Sequence, residues 1–153
     1  MKANRVTLIT LGVSDPKRSR AYYEALGWVI DEDLGKTLFF DMNGSKFGCF
    51  SLEGLAKETG RSVDELKTGA MTLAQNFNSQ DEVDAMFARA VAAGAAPVTQ
   101  PFKTDWGGYS SYVSDPDGHL WEFAHNPFWS LDDEGRIVGH SLWLTRGSMP
   151  LRY

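Results

Sequence analysis

Cysteine is almost absent: Cys49 is the single one in 153 residues, so the chain can form no internal disulfide and no thiolate-rich metal site. Imidazole is nearly as scarce, with His119, His125 and His140 the only histidines. No basic run offsets the formal net charge of −5, so the electrostatic footprint of a phosphate-backbone binder is missing and nucleic acid is not an expected partner. No apolar stretch approaches a membrane span, and the opening residues MKANRVTLITLGVSD lack both a long apolar run and a small-residue cleavage site. The expectation is a cytoplasmic protein that contacts no membrane. What remains is ordinary globular composition, 42% hydrophobic and 23% charged, in a chain long enough to bury a core without a staple.

The stretch from Trp106 to Asn126, WGGYSSYVSDPDGHLWEFAHN, reads as two strands joined by a tight turn. Asp115-Pro116-Asp117-Gly118 puts proline where φ should lie near −65° and glycine where φ becomes positive. On the incoming strand Tyr109, Ser111 and Val113 share a face, with Ser110 and Tyr112 on the other. On the outgoing strand Leu120, Glu122 and Ala124 oppose Trp121, Phe123 and His125. A lone acid therefore points one way, and the large aromatic residues, expected in the core, point the other.

Upstream, Val6 to Val13 alternates as a strand, with Ile9, Leu11 and Val13 on one face. A helix follows, capped by Ser14 or Asp15, opened by Pro16 and stopped by Gly27, with Ala21, Tyr22, Tyr23 and Leu26 as its apolar stripe. Strands are expected at Trp28–Asp31, Lys36–Met42 and Lys46–Leu52, and Asn43-Gly44 favours a type I′ hairpin between the last two. Residues 54–69 read as a linker with a turn or two of helix, where Ser62 and Glu65 have capping-box spacing. A strand at Ala70–Phe77 then leads to a helix capped by Ser79 and Glu82 and closed by Gly94, with Val83, Phe87, Ala90 and Val91 buried. Pro97–Phe102 is a weaker strand, and the hairpin above completes the set.

The order β-α-β-β-β thus occurs twice, in residues 1–53 and 70–126, as an internal repeat whose halves are each too small to bury a helix and a sheet alone. Residues 127–153 form a tail. Asp132-Asp133-Glu134-Gly135 should be an exposed turn, while Trp129, Ile137, Val138, Leu142 and Trp143 should pack on the body or on a partner subunit.

VSDPKRSRAYYEALGW in the first half, the strand-helix opening of the second, and YVSDPDGHLWEFA near its end together resemble the vicinal oxygen chelate superfamily, over roughly Arg5 to Asn126. That superfamily includes glyoxalase I, extradiol dioxygenases, fosfomycin-resistance transferases and bleomycin-resistance proteins. The resemblance implies an α+β fold of tandem βαβββ modules forming a curved eight-stranded sheet around a cavity, and a homodimer. In metal-using members the cavity holds a divalent ion on histidines and glutamates of the first and last strands of the modules. Here Glu122 falls on the last-strand glutamate, but the first-strand histidine positions hold Leu8 and Thr72. The end of the first module offers only Cys49 and Ser51 before Glu53, a poor donor set for nickel, zinc, manganese or ferrous iron. His119 and His125 lie odd separations from Glu122 and so face away from it.

With those positions filled by Leu8 and Thr72, the resemblance implies a mostly apolar cavity dotted with hydroxyls, lined by Thr10, Thr72, Asn76, Ser110, Tyr112 and Glu122. Trp106, before Gly107-Gly108, either closes over a ligand ring or packs on its own hairpin. Gln75 alternates onto the core face, where its amide needs partners. The leading expectation is a protein that binds or sequesters a small, partly apolar organic molecule without cofactor or metal. Two alternatives stand beside it: a metal-dependent glyoxalase-type lyase or dioxygenase using Glu122 as one ligand, and an interaction module with no small-molecule ligand.

Overall fold

The computed structural model describes residues 6–66, 68–69 and 71–140, with only the backbone at residues 139 and 140. Ala70 at the expected start of a strand, the His140 side chain, and Leu142 and Trp143 of the tail lie outside the described residues.

Alternation in the opening residues gives β1 (Leu8–Val13), whose inward residues Leu11 and Val13 are buried. Asp15 caps α1 (Pro16–Ala25), its side chain accepting from the amides of Lys17 and Arg18. The helix ends with Gly27 at φ 96°, where the Gly27 amide donates to the Glu24 carbonyl at 2.9 Å and the Trp28 amide to the Tyr23 carbonyl at 3.1 Å. This exit corrects the expected strand at Trp28–Asp31. The Trp28 ring packs on Tyr23 with centroids 4.9 Å apart, so its backbone belongs to the helix terminus and β2 spans Ile30–Asp33. Ala21, expected in the buried stripe, is exposed, whereas Tyr22 and Tyr23 are buried. β3 (Thr37–Asp41) and β4 (Lys46–Ser51) join through Asn43 and Gly44, both at positive φ as a type I′ turn requires.

The expected linker holds more helix than its polar composition suggests. α2 (Leu52–Thr59) starts directly on β4, with Ser51 Oγ accepting the Gly54 amide and Gly60 ending it at φ 71°. Gly54 is required there, because a Cβ would lie 2.3 Å from the Phe50 ring. The Ser62–Glu65 capping box closes a 3-10 turn at Val63–Glu65.

The second module repeats the first as β5 (Thr72–Asn76), α3 (Gln80–Ala92), β6 (Ala96–Lys103), β7 (Tyr109–Ser114) and β8 (Leu120–His125). Ser79 caps α3, which buries Val83, Phe87 and Ala90; Val91, expected with them, is 36% exposed. The tail forms a further hairpin, β9 (Trp129–Leu131) and β10 (Ile137–His140).

The fold is α+β. Strand order is β1-β4-β3-β2 in one sheet and β5-β8-β7-β6 in the other, so the eight strands of the repeat divide into two four-stranded sheets. In each, the first and last strands of the module run parallel and the remaining pairs antiparallel. One core serves both modules: Val13, Tyr23, Phe40 and Phe47 pack in a single cluster with Val83, Phe87, Val113, Trp121 and Phe123. Among the described residues no helix is long and apolar enough to cross a membrane.

The Asp115–Gly118 turn stitches the halves together. Asp115 Oδ1 accepts the amides of Asp117 and His119, both at 2.9 Å, and Gly118 sits at φ 89° as its turn position demands. Asp117 Oδ1 accepts the amide and hydroxyl of Ser14, at 2.9 and 2.7 Å, and Arg18 pairs with it at 3.0 Å. A tight turn chosen by local residues has thus become the clasp between modules.

Candidate functional site

Pairing between β7 and β8 sets Glu122 opposite Tyr112 and Ala124 opposite Ser110. On the other side of β8, β5 sets Ala74 beside Glu122, with Thr72 beside Leu120 and Asn76 beside Ala124. Because paired residues share a face, Glu122, Ser110, Tyr112, Thr72 and Asn76 lie together on one side of this sheet. Trp121 and Phe123 alternate to the other and are buried. Thr10 belongs to the other sheet, in register with Gly48 of β4, and among the described residues no hydrogen bond joins it to this group.

The carboxylate is held by hydroxyls. Glu122 Oε1 accepts from Ser110 Oγ at 2.6 Å and from the Tyr112 hydroxyl at 3.0 Å. Partial burial, with the neighbouring Glu122 charge adding to it, raises the Tyr112 phenol above its ordinary value, so Tyr112 stays a neutral donor. Ser110 is 2% exposed, whereas Thr72 and Ala74 are exposed, so the group is walled on the β7 side and open toward β5. Trp106 is 46% exposed and folds back on its own loop: a Cβ on Gly108 would meet its ring at 2.1 Å. The loop itself is held by the Gly108 amide donating to Thr104 Oγ1 at 2.8 Å.

These residues do not fit a divalent ion. Leu8 and Thr72 bring no imidazole, and among the described residues no group of three or more histidine, cysteine, aspartate or glutamate side chains could hold a metal. His125 Nδ1 is engaged by the Phe77 carbonyl at 2.9 Å, on the core side of β8. His119, which also faces away from Glu122, is half-buried and its Nε2 meets the Gly12 carbonyl at 2.8 Å, so it bridges the modules. Cys49 is fully buried, and burial, with the charges of Asp115 and Asp117 adding to it, pushes its thiol up to about 12. A neutral, inaccessible thiol ligates nothing.

Sequence reasoning misses a cleft of about 540 Å³ where the modules meet. Its lining joins the rims of core residues such as Phe40, Phe47 and Trp121 to Trp28, Leu73 and Gln75 and to the charged Asp41, Lys46, Glu134 and Arg136. Its aromatic walls read in sequence as core. The one visible signal is Gln75, an amide on a core face.

The family model described as the glyoxalase/bleomycin resistance protein/dioxygenase superfamily matches residues 5–123. Among solved structures, a glyoxalase-related enzyme from Fulvimarina pelagi is 33% identical, with 90% of this chain and 99% of that one covered at a TM-score of 0.83. A family enzyme from Burkholderia phytofirmans PsJN shares the fold at 19% identity, covering 78% of this chain and 96% of that one with a TM-score of 0.71. A lactoylglutathione lyase from Agrobacterium tumefaciens does so at 21%, covering 86% and 100%, with a TM-score of 0.64. No curated protein matches the chain. The duplicated β-α-β-β-β order, the parallel first and last strands of each module and the family match over residues 5–123 converge: this chain belongs to the glyoxalase/bleomycin resistance protein/dioxygenase superfamily.

Proposed function

We propose that the chain binds a small, partly apolar organic molecule on the Glu122 face of the second sheet, in the cytoplasm and without a metal ion. The observation that carries this reading is the state of Glu122: Ser110 and Tyr112 hydroxyls occupy Oε1, and Leu8 and Thr72 stand where imidazoles would be needed. A carboxylate held by neutral donors in a face of Thr72, Asn76, Ser110 and Tyr112 suits a ligand donor group. A homodimer would cover that face. Leu8 is 44% exposed, and Thr10 and Thr72 are open on the same sides of their sheets, a surface that a second copy would remove from water.

A second reading, a glyoxalase-type lyase or a dioxygenase, is favoured by the likeness to the Fulvimarina pelagi glyoxalase-related enzyme. Metal content of the purified protein, followed by thermal-shift titration with nickel, zinc, manganese and ferrous iron beside Glu122→Gln, separates the two. Indifference to all four ions supports the binder. Near-stoichiometric metal that disappears in the variant overturns it.

A further inference from the structure

We infer that the ligand of the Glu122 face is an organic cation, an ammonium group carried on an aromatic or apolar body; this rests on the reading of that face as a metal-free binding site. The four strands of the second sheet bring a single charged side chain to the face, Glu122, amid Thr72, Asn76, Ser110 and Tyr112. Among the described residues no lysine or arginine pairs with it. The residue is half-buried and its two hydroxyl donors are neutral, so no countercharge among the described residues balances the carboxylate.

Its two oxygens differ. Oε1 takes both hydroxyls, whereas Oε2 accepts from no group among the described residues. The side-chain oxygens that are sealed without a partner belong to Tyr22 and Gln75, so Oε2 is reachable from solvent. Ser110 and Tyr112 fix the carboxylate from one side and leave that second oxygen to an incoming donor. An ammonium suits it better than a neutral donor, because it supplies the hydrogen bond and the missing charge together.

The internal repeat shows that the fold needs no acid at this place. Thr10 and Ala74 are each the third residue of their strand, and Thr10 is in register with Gly48 as Ala74 is with Glu122. Gly48 and Phe39 therefore hold in the first module the places of Glu122 and Tyr112 in the second. A Cβ on Gly48 would lie 3.3 Å from the Phe39 ring, and one on the neighbouring Gly12 would lie 2.8 Å from Leu52 of α2. One face is closed by packing, and its counterpart keeps a carboxylate.

The surroundings suit the rest of such a ligand. Phe102 of β6 is in register with Ser110 and is 40% exposed, so an aromatic ring stands on this face beside Tyr112. Aromatic faces attract cations and cover apolar carbon. The formal net charge of −5 draws cations to the chain. A second copy laid over the face would take Glu122 further from water, where an unbalanced charge costs most, and a bound ammonium removes that cost.

Calorimetric titration of the full chain with a naphthylethylamine, the matching naphthylethanol and naphthylacetate tests the inference, because the three share their rings and differ in charge. At neutral pH the amine should bind about tenfold tighter than the alcohol, with the acetate weakest. Added salt should weaken the amine and leave the alcohol unchanged. Glu122→Gln should bring the amine down to the alcohol, whereas Glu58→Gln, which removes the same charge from an exposed position of α2, should leave the preference intact. Equal affinity for amine and alcohol, a preference that survives Glu122→Gln or vanishes in Glu58→Gln, or binding of none of the three would each overturn the inference. The comparison on the unaltered protein needs no variant to fold. Equal binding of amine and alcohol leaves the metal-free reading of the face standing, whereas stoichiometric metal lost in Glu122→Gln overturns that reading and this inference with it.

Discussion

Tyr23 in the first module donates its hydroxyl to Asp115 Oδ2 in the second at 2.8 Å, inside the core, across 92 residues of sequence. The same hydroxyl accepts from Trp121 Nε1 at 3.2 Å. Tyr23→Phe keeps the ring and orphans both partners, each worth about 1–3 kcal/mol when left unpaired in a buried site. The urea midpoint should fall with an unchanged slope. A midpoint equal to that of the unaltered chain would show that this bond does not hold the modules together.

Asp117 gives the clasp a pH dependence. Burial pushes its carboxyl upward, but the Ser14 amide and hydroxyl and the Arg18 guanidinium outweigh it, and the folded value falls below the ordinary one. A depressed carboxylate stabilises fully above the unfolded value and loses that contribution as pH falls through the folded one. Stability should therefore decline on acidification roughly between pH 5 and pH 2, and Asp117→Asn should flatten that decline. Parallel acid profiles for the two proteins would rule the role out.

Cys49 reports opening of the core. With its thiol fully buried and raised to about 12, it should resist thiol reagents in the native state and react at once in denaturant. The native labelling rate then measures how often the shared core opens. Rapid labelling in buffer alone would contradict this packing.

The Glu122 charge acts on Tyr112. Removing it in Glu122→Gln should bring the Tyr112 phenol down toward its ordinary value without reaching it, since burial, the larger cause, remains. Spectrophotometric tyrosinate titration, with Tyr112→Phe identifying the step, follows the change. An unmoved step would mean that the charge is not felt at the hydroxyl.

Short-range signals are the ones the amino-acid sequence displays openly. Asp15-Pro16, Asn43-Gly44 and Asp115–Gly118 mark their caps and turns by chemistry that acts within four residues, and alternation puts Ser110 with Tyr112 and Glu122 with Ala124, while bringing the two sets onto one face rests on the family resemblance. Trp28 reads wrongly as a strand residue because its aromatic, strand-favouring character loses to packing on Tyr23 at the helix exit. The α2 helix is hard to read because eight residues, one of them glycine and the next after them glycine too, carry little periodicity. The cleft is hidden for a different reason. Phe40, Phe47, Leu73 and Trp121 alternate as core residues should, and whether two apolar faces meet fully is decided by tertiary packing, which no single strand encodes.

The outer strands of the two sheets are poor templates for further β-pairing. β6 carries Pro97 and Pro101, neither of which has an amide hydrogen to offer, and β2 carries Asp31, Glu32 and Asp33 in succession. A chain trying to add a strand there meets missing donors on one edge and, on the other, a row of charged side chains in which Asp31 is held by Lys46 and Asp33 by Arg20. Pairing is therefore disfavoured at both rims, and among the described residues β1 and β5 are the edges left on which another strand can extend a sheet. Those inner edges are where a second copy, proposed above to cover the Glu122 face, would meet this chain.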